Sequence, residues 1–160
     1  MLLSVSLIEA DRLEEAERTL QRRRAHIEQV GSWGLASYAF SAALARFDRG
    51  EWEDARAEAT AGVALAEEIG GRTGAVCGLA ILALIALHRD ELDAAAEAVA
   101  AAEDELARVG YEFYGHWAIW ARGLLAEARG NPSAGLGSTP RGMGPVRRRR
   151  LDPRLREVGA

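Results

Sequence analysis

The feature that most narrows what this chain can fold into is an internal repeat of about forty residues. With Asp11, Gly50, Asp90 and Gly130 set in one column, at spacings of 39, 40 and 40, the neighbouring columns fall into line. Two positions on stand Leu13, Trp52, Leu92 and the deviant Pro132; five on stand Ala16, Ala55, Ala95 and Gly135. Seven positions before the anchor lie Ser4, Ala43, Ala83 and Gly123, all small, and directly after them Val5, Leu44, Leu84 and Leu124, all apolar. Nineteen and twenty positions after the anchor come Val30-Gly31, Ile69-Gly70 and Val109-Gly110.

These columns have a physical reading. Glycine after the last apolar position of a helical pattern supplies a left-handed conformation, so Gly31, Gly70 and Gly110 are expected to end helices. The anchor column, Asp or Gly before a short acidic stretch, is expected to start the helix that each glycine closes. Carboxylates in that first turn, Glu14 and Glu15, Glu53 and Asp54, Glu91 and Asp93, suit the positive end of the helix dipole. The pattern predicts helix A over about 35–48, 75–88 and 115–128, and helix B over about 12–30, 52–69 and 91–109. Residues 1–10 supply the end of an earlier helix A. In the third helix B an apolar stripe runs Leu92, Ala95, Val99, Ala102, Leu106, Val109. The small residues of the Ser4, Ala43, Ala83 and Gly123 column let helix A approach its neighbour closely. Hairpins of this kind cannot bury their apolar faces alone, and the expected fold is all-α, a right-handed α-solenoid of antiparallel helical hairpins.

Composition closes off other classes. The 160 residues fit one domain, 49% hydrophobic and 28% charged, a balance that suits neither a disordered chain nor a membrane span. The longest uncharged run, Gly74 to Leu87, is 14 residues and reads as a buried helix, because a spanning helix needs about 20. Met1 to Ala10 is apolar without a basic leader and reads as helix. Cys77 is the only cysteine, so an internal disulfide and a thiolate metal cluster are both out of reach, and a reducing cytoplasmic location is expected. Residues 137–160 hold seven arginines against Asp152 and Glu157, a local +5 that leaves −9 on residues 1–136 of a total of −4. An acidic body does not suit nucleic-acid binding, whose positive charge belongs on a folded face.

Blocks such as Arg89-Asp90-Glu91-Leu92-Asp93-Ala94-Ala95 and Leu65-Ala66-Glu67-Glu68-Ile69-Gly70 resemble tetratricopeptide-like α-solenoids. More narrowly, residues 1–136 resemble the helical repeats in the middle of large ATP-binding LuxR-family transcriptional regulators, the group that includes the maltose-regulon activator. The period departs from the 34-residue tetratricopeptide consensus. The resemblance implies a middle region's role, binding an inducer or partner protein and passing the event on. It carries over no residue of an ATPase or DNA reader: a chain without lysine has no phosphate-binding P-loop, and nothing after residue 110 offers a groove-reading helix pair. The reading is therefore non-enzymatic, with no cofactor and no metal site. The alternative is a free-standing adaptor that holds a peptide on its concave face; an enzyme with paired titratable groups comes third.

Tyr111, Phe113, Tyr114, His116, Trp117 and Trp120 form the one dense aromatic cluster, and Tyr114, His116, Trp117 and Trp120 are the candidate contacts for a ligand or partner. The plainer reading places Tyr114, Trp117 and Ala121 against the preceding hairpin while Trp120 awaits a following one. Trp33, Tyr38 and Phe40 occupy the corresponding place in an earlier unit. His26, His88 and His116 are dispersed, with no second ligand at metal spacing. Cys77, between Val76 and Leu79, reads as a small buried hydrophobe. Arg22-Arg23-Arg24, among Glu14, Glu15, Glu17 and Glu28, reads as intrahelical pairing.

Residues 130–136 begin a fourth helix B in register and then abandon it, and all four prolines lie within 132–153, so 137–160 is expected to be a disordered tail. An abrupt loss of reading frame, or an early stop in a longer gene, accounts for that pattern. Neither end carries a polar capping repeat, which predicts self-association or a protein partner at the solenoid ends.

Overall fold

A computed structural model of the chain describes residues 2–109 and 115–131, apart from the side chains of Leu2, Ala25, Glu28, Gln29, Val30, Ser32 and Trp33. The described residues form seven helices and no strand: α1 (Leu2–Glu9), α2 (Leu13–Val30), α3 (Ser32–Asp48), α4 (Trp52–Glu68), α5 (Arg72–His88), α6 (Leu92–Val109) and α7 (Gly115–Ala128). The fold is all-α. The odd-numbered helices are the A helices of the repeat and the even-numbered ones its B helices. The expected tail at 137–160 and the expected helix stop at Gly110 lie outside the described residues.

The anchor column does something different from what the sequence pattern suggests. Asp11, Gly50, Asp90 and Gly130 do not start helix B; they end helix A, with φ of 62, 78, 58 and 75°. Each turn closes the same way. The amide of the anchor bonds the carbonyl three residues back, and the next amide bonds the carbonyl five residues back. At Gly50 these bonds are Gly50 N to Phe47 O, 3.0 Å, and Glu51 N to Arg46 O, 2.9 Å; at Gly130 they are Gly130 N to Glu127 O, 3.0 Å, and Asn131 N to Ala126 O, 2.8 Å. This doubly bonded left-handed turn satisfies carbonyls that the helix end would otherwise leave open. Asp serves because its short polar side chain tolerates the left-handed region better than most residues. Helix B then begins two residues on, at Leu13, Trp52 and Leu92.

Gly70, at φ 68°, ends α4 in the same manner, as its place in the pattern suggests. Gly31, at φ 84° and ψ −172°, sits in a region open to glycine alone and separates α2 from α3 in a single residue. Helix A therefore starts at Ser32 and Arg72, three residues before the positions read from the apolar period. The first turn Arg72-Thr73-Gly74 has no apolar spacing to read.

Packing follows the repeat. Each helix packs on its neighbours in sequence, and α1 packs on α3, α3 on α5 and α5 on α7, whereas no Cα of α2, α4 or α6 comes within 8 Å of one in another of the three. The α5 helix, apolar all round, touches α3, α4, α6 and α7, and buries ten residues from Ala75 to Ala86. It is the buried helix expected of the run from Gly74 to Leu87. The α6 stripe buries Ala95, Val99, Ala102 and Leu106, with Leu92 and Val109 half-buried. One apolar cluster continues from Val5 through Leu44 and Leu84 to Leu125.

Close approach rests on two glycines that the sequence pattern does not single out. A Cβ at Gly62 in α4 would lie 3.0 Å from Ala39 Cβ, and one at Gly78 in α5 would lie 2.5 Å from Val63 Cγ2 and 3.2 Å from the Ala59 carbonyl oxygen. Outside the core, an arginine before the anchor reaches back to the preceding helix B three times: Arg49 to Glu17 at 3.7 Å, Arg89 to Glu53, and Arg129 to Asp93 at 3.8 Å. Exposed pairs of this kind contribute little each, because water and salt screen them. The expected pairing of Arg22, Arg23 and Arg24 within their own helix does not form among the described residues. Glu15 pairs with Arg12 at 2.6 Å and Glu17 with Arg49, while the side chain of Glu28 lies outside the described set.

Two substitutions test this account by urea denaturation. Asp90→Gly relieves the left-handed backbone and is expected to stabilise by about 0.5–1 kcal/mol, while Gly50→Ala costs about 1 kcal/mol; equal and opposite signs missing from this pair would refute the turn assignment. Gly78→Ala gains about 1 kcal/mol of helix propensity but overpacks by about 1–3 kcal/mol, so a net loss is expected, partly recovered by adding Val63→Ala.

Candidate functional site

The last A helix carries the aromatic group. His116, Trp117 and Trp120 lie in the first half of α7, and Tyr114, with Tyr111 and Phe113, lies outside the described residues. Trp117 is 8% exposed and Ala121 fully buried, whereas His116 and Trp120 are half-buried. Helical spacing explains the split: 117 and 121 share one side of the helix, 116 and 120 the next. The rings form a chain, His116 to Trp117 at 5.2 Å between centroids and Trp117 to Trp120 at 5.5 Å, tilted by 42° and 57°.

The repeat shows what is particular here. Trp117 stands where the two earlier units have Cys77 and Ser37, both buried, and Trp120 stands where they have Ala80 and Phe40. A small-residue column has thus been filled with an indole. That indole buries its Nε1 with no hydrogen-bond acceptor among the described residues, and the same holds for Nε and Nη2 of Arg122, whose Nη1 donates to Glu103 at 3.0 Å. An unmet buried donor costs about 1–3 kcal/mol. At the edge of the group His116 Nε2 lies 3.6 Å from the Glu9 carboxylate. The first and last described helices therefore meet through side chains, although no Cα of α1 comes within 8 Å of one in α7.

A second aromatic junction is not evident from spacing. His88, at the end of α5, lies 5.3 Å from the Phe47 ring and 5.2 Å from Trp52, which joins α3, α4 and α5. In sequence these residues are 41 and 36 apart, and only the repeat register brings them together. Burial pushes the His88 imidazole below its usual pKa. Tyr38 is half-buried and Phe40 buried; the Trp33 side chain lies outside the described set.

The single thiol and the polar groups near the aromatic cluster have the following surroundings. Cys77 is buried, and desolvation pushes its thiol well above the ordinary range, so a thiolate nucleophile is disfavoured. Among the described residues no three of His, Cys, Asp and Glu gather as metal ligands, and no helix is long and apolar enough to cross a membrane. Buried Ser41 donates to the Ser37 carbonyl at 3.1 Å, a local helical bond. The half-buried His116 and Trp120 instead offer apolar area with a polar edge, which suits recognition of a partner surface. No protein-family model, no curated protein and no solved structure matches the chain.

The His88 junction predicts a pH response. Its neutral form is favoured in the fold, so the folded chain holds the proton less readily than the unfolded one. Its contribution is complete above the unfolded value of about 6.5 and is lost as pH falls through the lower folded value. Urea midpoints measured from about pH 7 to about pH 5 should decline in the parent chain and decline less in His88→Gln. Parallel slopes for the two proteins would remove His88 as the cause.

Proposed function

We propose that this chain is a non-enzymatic helical-repeat module that binds a protein partner or a small inducer, built as a right-handed α-solenoid of tetratricopeptide-like hairpins. The observation that carries the reading is the fourfold recurrence of one turn at the end of helix A, at Asp11, Gly50, Asp90 and Gly130, among helices whose backbones pack A on next A more closely than B on next B. That contact pattern is what a row of stacked hairpins requires, since each unit covers its successor's apolar face. The link to the middle region of LuxR-family regulators rests on the blocks at 65–70 and 89–95. In that role the aromatic group on α7, with His116 and Trp120 at its open edge, is the recognition surface. A cytoplasmic location belongs to the same proposal.

Small-angle scattering of the full chain tests the architecture, and partner capture tests the role. Proteins or metabolites retained by the immobilised chain from its source cell are purified and titrated singly. One-to-one saturable binding weakened about tenfold by Trp120→Ala, with an unchanged thermal midpoint, supports the proposal. Turnover of a substrate in a broad hydrolase and transferase screen, or indifference of every captured ligand to Trp120→Ala, refutes it.

A further inference from the structure

We infer that the single-residue joint at Gly31 is the hinge of an exchange between two copies of this chain, in which α2 and α3 run on as one continuous helix and each α1–α2 pair seats on the α3 of the other copy. The inference concerns this joint alone and stands apart from the ligand and role proposed above.

The joint differs from the other described turns. After α1, α3, α4, α5 and α7 the chain closes with one amide bonded three residues back and the next amide bonded five residues back. Gly31 has the positive φ of such a turn, 84°, but its ψ of −172° points the next amide away from the α2 carbonyls, so the second bond does not close. The α3 helix then begins with no side chain capping its first amides. Both helix ends at the joint therefore lack the bonds that finish the other helices.

Turning Gly31 alone to helical φ and ψ supplies those bonds. The amides of Ser32, Trp33 and Gly34 then fall opposite the carbonyls of Glu28, Gln29 and Val30, four residues back, and the Leu35 amide already bonds the Gly31 carbonyl at 3.3 Å. No proline interrupts residues 13–48, so the product is one unbroken helix. At 1.5 Å per residue it is about 54 Å long. The change also takes Gly31 out of a backbone region that glycine alone tolerates.

A chain opened in this way must find its lost contacts elsewhere. No Cα of α1 or α2 comes within 8 Å of one in α4, α5, α6 or α7, so among the described residues α3 is the backbone seat of the α1–α2 pair. The pair brings a complete apolar face with it: Val5, Ile8, Ala16, Leu20 and Ile27 are all buried. A second copy opened at the same joint offers the identical seat, and two reciprocal exchanges close on themselves about a twofold axis. A short joint favours this outcome, because the hairpin carries the strain and the exchanged form does not.

A Cβ at Gly31 meets no described atom within 4 Å, so Gly31→Ala acts on the hairpin through its backbone alone. The full chain is refolded from urea at a series of concentrations and sized by light scattering. Gly31→Ala is expected to become dimeric at a concentration about tenfold or more below that of the parent, with helix content kept. A Gly-Ser-Gly insertion after Gly31 lengthens the joint and should return the chain to monomer. The exchange itself is read by cross-linking. Arg49 and Glu17 face each other across α3 and α2 at 3.7 Å, and Cys77 is buried. With Glu17→Cys and Arg49→Cys in place, a short bismaleimide links a monomer to itself but joins an exchanged dimer into a covalent pair on a denaturing gel. The inference is overturned by Gly31→Ala staying monomeric at every concentration, by a dimer whose links remain within one chain, or by loss of helix content in place of dimer.

Discussion

One residue in the left-handed region, recurring at a fixed distance, ends each helix A that the rest of the packing builds on. The constraint is steric and local: at Asp11, Gly50 and Asp90 the chain passes from helix A to helix B within two residues while the last carbonyls of helix A are still satisfied, and Gly130 makes the same turn at the end of α7. Hydrophobic burial then has little freedom left. The small residues Ser4, Ala43 and Ala83 all become fully buried, and the aliphatic residue after each fills the core beside it.

The consequence for energetics is that close backbone approach works beside large apolar side chains. The α4 helix buries only alanine and glycine and approaches its neighbours closely at Gly62 and Gly78, while Leu44, Ile81 and Leu84 fill the core. Large side chains gather where units join: Phe47, Trp52 and His88 at one junction, His116, Trp117 and Trp120 at another. The arginines of the Arg49, Arg89 and Arg129 column add a polar clasp along the outside, each reaching the previous helix B.

The helices and their pairing could be read from the chain because period and punctuation agree. Ala95, Val99, Ala102 and Leu106 mark the buried side of α6 without reference to any coordinate. The role of the anchor could not be read so directly, since an Asp before an acidic stretch is the ordinary mark of a helix start and only its φ reveals a helix end. The first turn of α5, Arg72-Thr73-Gly74, carries no apolar residue, and that of α3 carries only Trp33, too little for a period to show. Of the aromatic candidates, spacing alone separated Trp117 from Trp120, but the meeting of His116 with Glu9, 107 residues away, leaves no local signal. The clasp arginines did leave one, an arginine directly before three of the four anchors, which charge counting within a single helix overlooks.

The contact between Glu9 and His116 ties the first described helix to the last. At 3.6 Å it joins a carboxylate that is about half solvent-exposed to an imidazole on α7. A contact of this kind is weak, about a kcal/mol at most. Its value lies in what it requires: α1 packs on α3, α3 on α5 and α5 on α7, so the two groups meet only once every intervening layer has settled. Loosening at any one of those junctions is therefore felt at a pair of side chains far from it.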